Sequence, residues 1–149
     1  MKTHLNLATT DLAKSVQFYS TLLDTKPAKM LSDYALFITE QPGLELALDL
    51  RSAVSPTSDA HYGICVDSIA DVELAAARLQ RVGIASSIER EERCCYANQT
   101  KVWAIDPAGR RWEVYTVHED TDERNAADTP CCRTEAEESR SCRPVAASE

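Results

Sequence analysis

His61-Tyr62-Gly63-Ile64-Cys65-Val66 opens with a histidine, runs through mainly apolar residues, and leads into Asp67-Ser68 and a helical pattern. The chain begins in the same order: His4-Leu5-Asn6-Leu7-Ala8, then Thr10-Asp11, then a helical pattern. Alternation over His4–Ala8 reads as a strand. Leu12, Val16, Tyr19, Leu22 and Leu23 recur at helical spacing, so a helix is expected over residues 11–23, ended by Lys26-Pro27. Thr10 or Asp11 offers its cap. In the later copy Ile69, Val72, Ala76 and Leu79 mark the helix, Asp67 or Ser68 caps it, and Gly83 is its stop.

Working outward, three short strands are expected after each helix. In the first half they fall at residues 27–31, 34–39 and 44–49, with turns at Ser32-Asp33 and Gln41-Pro42-Gly43. In the second they fall at residues 84–91, 101–106 and 111–117, with Asp106-Pro107-Ala108-Gly109 as a strong turn. Each half therefore reads β-α-β-β-β, and the fold class is α+β with two tandem units at about residues 1–50 and 60–118. Residues 51–59 form a polar linker. Two such units can close a half-barrel within one chain or exchange between chains into a homodimer.

From residue 119 to 149 the chain is rich in Glu, Asp, Ser, Ala and Arg and has no periodic apolar face, so this tail is expected to be disordered. Its Cys131-Cys132 pair and Cys142 read either as idle surface thiols or as a tethered collector of soft ions. A net charge of −8 argues against nucleic acid and anionic membranes as partners. No apolar run of about 18 residues suggests a membrane span. The N-terminal residues lack the apolar core of a signal peptide, and four of six cysteines lie in adjacent pairs. Both features fit a cytoplasmic protein with reduced thiols.

The repeat superposes His4 on His61, and Glu45 on Glu113, since each lies in the matching strand of its unit. Strand alternation sets Glu113 on one face with Arg111 and Tyr115. His4, His61 and Glu113 thus form a candidate metal cluster. Two imidazoles and one carboxylate suit Fe(II) and leave positions open for oxygen and substrate. A fourth ligand from Glu45 would instead suit Zn or Ni acting as a Lewis acid. His118 reads as a surface histidine.

Cys94-Cys95 stands apart. Neighbouring Cα atoms lie about 3.8 Å apart, shorter than a relaxed disulfide requires. The pair reads as two small half-buried apolar residues or as a two-pronged ligand for a soft atom. Arg93 and Lys101 would lower the thiol pKa values, while Glu91 and Glu92 would oppose them.

The repeated units with His4, His61 and Glu113 resemble the vicinal oxygen chelate superfamily. That superfamily includes glyoxalase I, the extradiol dioxygenases, and the bleomycin and fosfomycin resistance proteins. Cys94-Cys95-Tyr96-Ala97-Asn98-Gln99-Thr100-Lys101-Val102-Trp103 with Arg111-Trp112-Glu113-Val114-Tyr115-Thr116-Val117 is similar to the organoarsenical carbon–arsenic lyases and the related cadmium-induced proteins. The resemblance covers about residues 1–118. It implies an Fe(II)- and O2-dependent enzyme that cleaves the carbon–arsenic bond of trivalent methyl or aromatic arsenicals and releases arsenite. His4, His61 and Glu113 would hold the metal, Cys94 and Cys95 the arsenic, and no further catalytic residue is implied. An irregular, mobile loop over residues 91–99 is expected to close over substrate, with Tyr96 packing on its organic group. Two other roles remain open at this point: a non-catalytic cadmium or arsenite binder, and a glyoxalase-type isomerase using Glu45.

Overall fold

The computed structural model describes residues 2–55, 60–94 and 97–120. The first unit comprises β1 (Thr3–Thr9), α1 (Leu12–Leu22), β2 (Lys29–Met30), β3 (Tyr34–Thr39) and β4 (Leu44–Leu50). The second comprises β5 (His61–Cys65), α2 (Ile69–Arg81), β6 (Ala85–Cys94), β7 (Ala97–Ile105) and β8 (Arg111–Asp120). The two sheets have the same topology, β1-β4-β3-β2 and β5-β8-β7-β6. In each, the first strand pairs parallel with the last and the other pairings are antiparallel. The tandem βαβββ reading therefore holds. No helix among the described residues is long and apolar enough to cross a membrane.

Capping chemistry sets the helix ends. The Asp11 carboxylate accepts from the Lys14 amide at 3.0 Å, and the Ser68 hydroxyl accepts from the Asp71 amide at 3.3 Å. Gly83, at φ 71°, closes α2 in the left-handed region that an L side chain disfavours. Helix α1 ends before Lys26-Pro27, because Asp24 already turns left-handed at φ 50°.

Several strand limits differ from expectation. Strand β2 keeps only two residues, β7 begins four residues early, and β8 runs on to Asp120, two past the expected domain limit. The rest of the expected tail, residues 121–149 with Cys131, Cys132 and Cys142, lies outside the described residues, as do residues 56–59 of the linker.

Both sheets share one apolar core. Leu7, Phe37, Leu46 and Leu48 come from the first sheet, Ile64, Val102, Trp112 and Val114 from the second. Phe18, Tyr19, Leu22, Val72, Ala76 and Leu79 fill the space between them from α1 and α2. Tyr19 joins the halves: its ring centroid lies 6.4 Å from that of Phe37 and 5.6 Å from that of Trp112. Each sheet turns one face to this core and keeps an opposite, open face outside it.

A buried polar latch fixes this arrangement. The Tyr19 hydroxyl donates to Asp106 Oδ2 at 2.6 Å, and Arg110 donates to the same oxygen at 2.9 Å and to the Ala8 carbonyl at 2.6 Å. Asp106 Oδ1 accepts from the amides of Ala108 and Arg110, which shapes the expected turn. Burial and the Asp106 charge raise the Tyr19 pKa, so its hydroxyl stays a donor. Asp106→Ala strips the ion partner from Arg110 and should destabilise the fold by about 3–5 kcal/mol in denaturant melts. A loss below about 1 kcal/mol would show the latch to be dispensable.

Candidate metal centre

The open face of the second sheet gathers polar side chains in register. His61 pairs with Arg111 and Gly63 with Glu113 across β5 and β8, and Trp103 pairs with Glu113 across β7 and β8. His61 Nε2 lies 3.6 Å from Glu113 Oε1, and Lys101 Nζ lies 3.7 Å from Glu113 Oε2. Gly63 lets this happen: a Cβ there would come within 2.8 Å of the Tyr115 ring and 3.2 Å of Glu113 Oε1. Trp103 lies beside the pair. Its indole N–H donates to Glu89 at 3.2 Å, its ring stands edge-on to His61 at 5.5 Å, and the Arg111 guanidinium lies 4.4 Å over it. Burial, then the neighbouring Cys65 and Glu113, raises the Tyr115 pKa.

His4 belongs to the other sheet. It pairs in register with Glu45, and its Nδ1 lies 3.9 Å from Glu45 Oε2. The two histidine–glutamate pairs are not built alike. His4 faces Glu45 directly across the ladder, whereas the direct partner of His61 is Arg111 and Glu113 lies two residues further on. By register Glu45 therefore aligns with Arg111, which corrects the superposition on Glu113. A glutamate two residues along has the same strand parity, so alternation alone does not separate the alternatives.

The structure brings His61 to Glu113 and His4 to Glu45. Among the described residues it brings no three His, Cys, Asp or Glu side chains together around one point. The His61–Glu113 pair nonetheless suits an ion. Ligand bonds of about 2.1 Å place neighbouring donor atoms roughly 3.0–3.4 Å apart, a few tenths of an ångström from the distance seen here.

The expected loop over residues 91–99 is mostly strand. β6 runs through Cys94, whose backbone pairs with Ala97, and β7 starts at Ala97. Cys95 and Tyr96 lie outside the described residues. Cys94 thus closes the far end of the β6–β7 ladder. At a strand rise of about 3.3 Å per residue, Ala97 lies roughly 20 Å along β7 from Trp103, the partner of Glu113. The ladder is irregular near this end. Register shifts fall between Glu89 and Glu92 on β6 and between Asn98 and Gln99 on β7, and Glu91 has φ 50°.

Lys101 is buried beside Glu113, and its charge also acts on Glu92; the thiols that it was expected to influence lie outside the described side chains. Trp103, Glu89 and Gly63 went unassigned in the sequence. The available signal was parity, since Lys101 and Trp103 alternate onto one face of a strand adjoining that of Glu113.

Glu92 carries the clearest shift at this end of the sheet. Burial, then the hydrogen bond and charge of Glu89, push its carboxyl up to about 7, and its Oε2 has no hydrogen-bond partner among the described residues. Its folded-state value exceeds its unfolded one. The associated stability is therefore present below the unfolded pKa and is lost as pH rises through about 7. Glu92→Gln should raise the Tm at pH 8 and leave it nearly unchanged at pH 4; an equal effect at both would contradict this.

Residues 3–114 match the Glyoxalase/Bleomycin resistance protein/Dioxygenase superfamily. A protein of Bacillus sp. (strain MD1) named trivalent organoarsenical cleaving enzyme is 38% identical over 148 residues, covering 97% of this chain and 92% of that one. The cadmium-induced protein CadI of Mycobacterium tuberculosis is 38% identical over 121 residues, covering 81% and 79%. In fold, the crystal structure of a glyoxalase/bleomycin resistance protein/dioxygenase from Alicyclobacillus acidocaldarius superposes with a TM-score of 0.63 at 21% identity, covering 80% of this chain and 92% of that one. With its paired βαβββ sheets and this match over most of its length, the chain belongs to the glyoxalase/bleomycin resistance protein/dioxygenase superfamily, the vicinal oxygen chelate proteins.

Proposed function

We propose that this protein is an Fe(II)- and O2-dependent enzyme that cleaves the carbon–arsenic bond of trivalent organoarsenicals and releases arsenite. The observation that carries the reading is the His61–Glu113 pair on an open sheet face, 3.6 Å apart, in a chain 38% identical to a protein named for that cleavage. His4, His61 and Glu113 would hold the ion. Fe(II) would supply the one-electron chemistry through which dioxygen attacks the carbon–arsenic bond. Glu45 faces His4 Nδ1 and so leaves Nε2 free, which favours an orienting role over that of a fourth ligand.

The remaining work falls to the chain itself. The Cys94 and Cys95 thiols would each form an S–As bond and displace one hydroxide, which leaves as water with the thiol proton, so that arsenic carries two thiolates and its organic substituent. For the arsenical to meet the ion, the β6–β7 hairpin curls over its sheet. The register shifts around Glu91 put the least regular backbone where that bend is needed. Reduced thiols fit a cytoplasmic setting.

The ligand set also calls for two chains. His4 pairs with Glu45 on one sheet and His61 with Glu113 on the other, and among the described residues no third His, Cys, Asp or Glu joins either pair. In a twofold homodimer the first open face of one copy would cover the second open face of the other, giving two complete centres.

The deciding experiment loads the protein with Fe(II) and supplies a trivalent methylarsenical with and without air. The reading predicts arsenite in air and none anaerobically. Binding without release in air would favour a cadmium- or arsenite-binding role, for which the cysteine pair and the likeness to a cadmium-induced protein speak.

A further inference from the structure

Lys101 sits in the middle of the second sheet, in register with Glu89 on one side and Tyr115 on the other. Its side chain is only 1% exposed. Removing an ammonium from water is unfavourable unless opposite charge meets it. Among the described residues it forms an ion pair with Glu113, through Oε2 at 3.7 Å, and its charge also acts on Glu92; the other oxygen of the Glu113 carboxylate, Oε1, faces His61 Nε2 at 3.6 Å. Trp103 fills in beside the ammonium, 5.4 Å from it, and is itself pinned through its indole N–H to Glu89. One carboxylate thus has its two oxygens assigned to different neighbours.

We propose that Lys101 is a positioning residue that fixes Glu113 as a one-oxygen ligand. The inference rests on the reading that Glu113 holds the ion. With Oε2 drawn to the ammonium, only Oε1 reaches the ion, and the coordination position that a second oxygen would occupy stays open for a reactant. The buried location keeps the attraction unscreened by solvent. A lysine that merely stabilised the sheet would not affect how many carboxylate oxygens reach the ion.

The test is a Co(II) titration of the full-length protein, comparing wild type with Lys101→Met, Lys101→Arg and Glu113→Gln, each checked for folding by circular dichroism. Without the ammonium, both oxygens of Glu113 turn to the ion and a repelling charge is gone. Lys101→Met should therefore bind Co(II) about tenfold more tightly. Its visible absorption should weaken as the coordination number rises, and arsenical cleavage by the Fe(II) form should fall about 10–100-fold. Lys101→Arg, which keeps the charge, should restore the wild-type spectrum. Wild-type affinity and spectrum in Lys101→Met, or weaker binding, would overturn the proposal. If Lys101→Met does not fold, Lys101→Gln takes its place, and failure of both would assign Lys101 to stability alone. Unchanged Co(II) affinity in Glu113→Gln would count instead against Glu113 as a ligand, a separate failure.

Discussion

Cys94→Ser and Cys95→Ser should each reduce arsenite release at least about 10²-fold while Fe(II) binding stays at the wild-type level. The expectation follows from chemistry and placement. Trivalent arsenic is a soft centre, and a thiolate binds it where a serine hydroxyl, harder and protonated, does not. With one thiol left, the arsenical is tethered at a single point and its carbon is free to swing away from the ion. The ion itself is untouched, because Cys94 pairs with Ala97 at the far end of the ladder, roughly 20 Å along β7 from the partner of Glu113. Arsenite release quantified under air, beside an anaerobic Fe(II) titration, separates the two effects. Full activity in both variants would remove the thiols from the account.

The second large effect concerns the ligands. His4→Ala, His61→Ala and Glu113→Gln should each weaken Fe(II) binding by about 10²-fold or more, since each removes one of three donors. Glu45→Gln should cost less, about 10-fold, if Glu45 only orients the His4 ring. Anaerobic titration calorimetry distinguishes the outcomes, and equal losses for Glu45→Gln and Glu113→Gln would make Glu45 a fourth ligand.

Much of the fold was legible because apolar periodicity and capping residues are local signals. Leu12 to Leu22 and Val72 to Leu79 lie on the faces their spacing predicts, and Asp11, Ser68 and Gly83 sit at helix ends as their chemistry requires. His61 and Glu113 could be nominated from sequence because each sets a metal-capable side chain in an otherwise apolar strand, and the pairing of those strands brings them to 3.6 Å. The β6–β7 ladder was not legible for a physical reason. Glu91-Glu92-Arg93-Cys94 has little apolar character, yet the antiparallel ladder with β7 satisfies its backbone, and bulges absorb the irregularity. The Lys101–Glu113 pair was not legible because it joins two strands through the pleat, not through nearness in sequence. How the two units pack on each other was also not legible. That depends on Tyr19, Asp106 and Arg110 meeting across the shared core, a long-range contact with no local pattern.

The central claim is a centre that takes His4 from one sheet and His61 with Glu113 from the other, joined across two copies of the chain. Mixing the inactive variants His4→Ala and His61→Ala tests it most directly. After the two are denatured together and refolded with Fe(II), a mixed dimer carries one centre missing both histidines and one that is intact. The account predicts that arsenite release in air, absent from either variant alone, reappears in the mixture. No recovery from a mixture shown to contain mixed dimers would contradict a centre shared between chains.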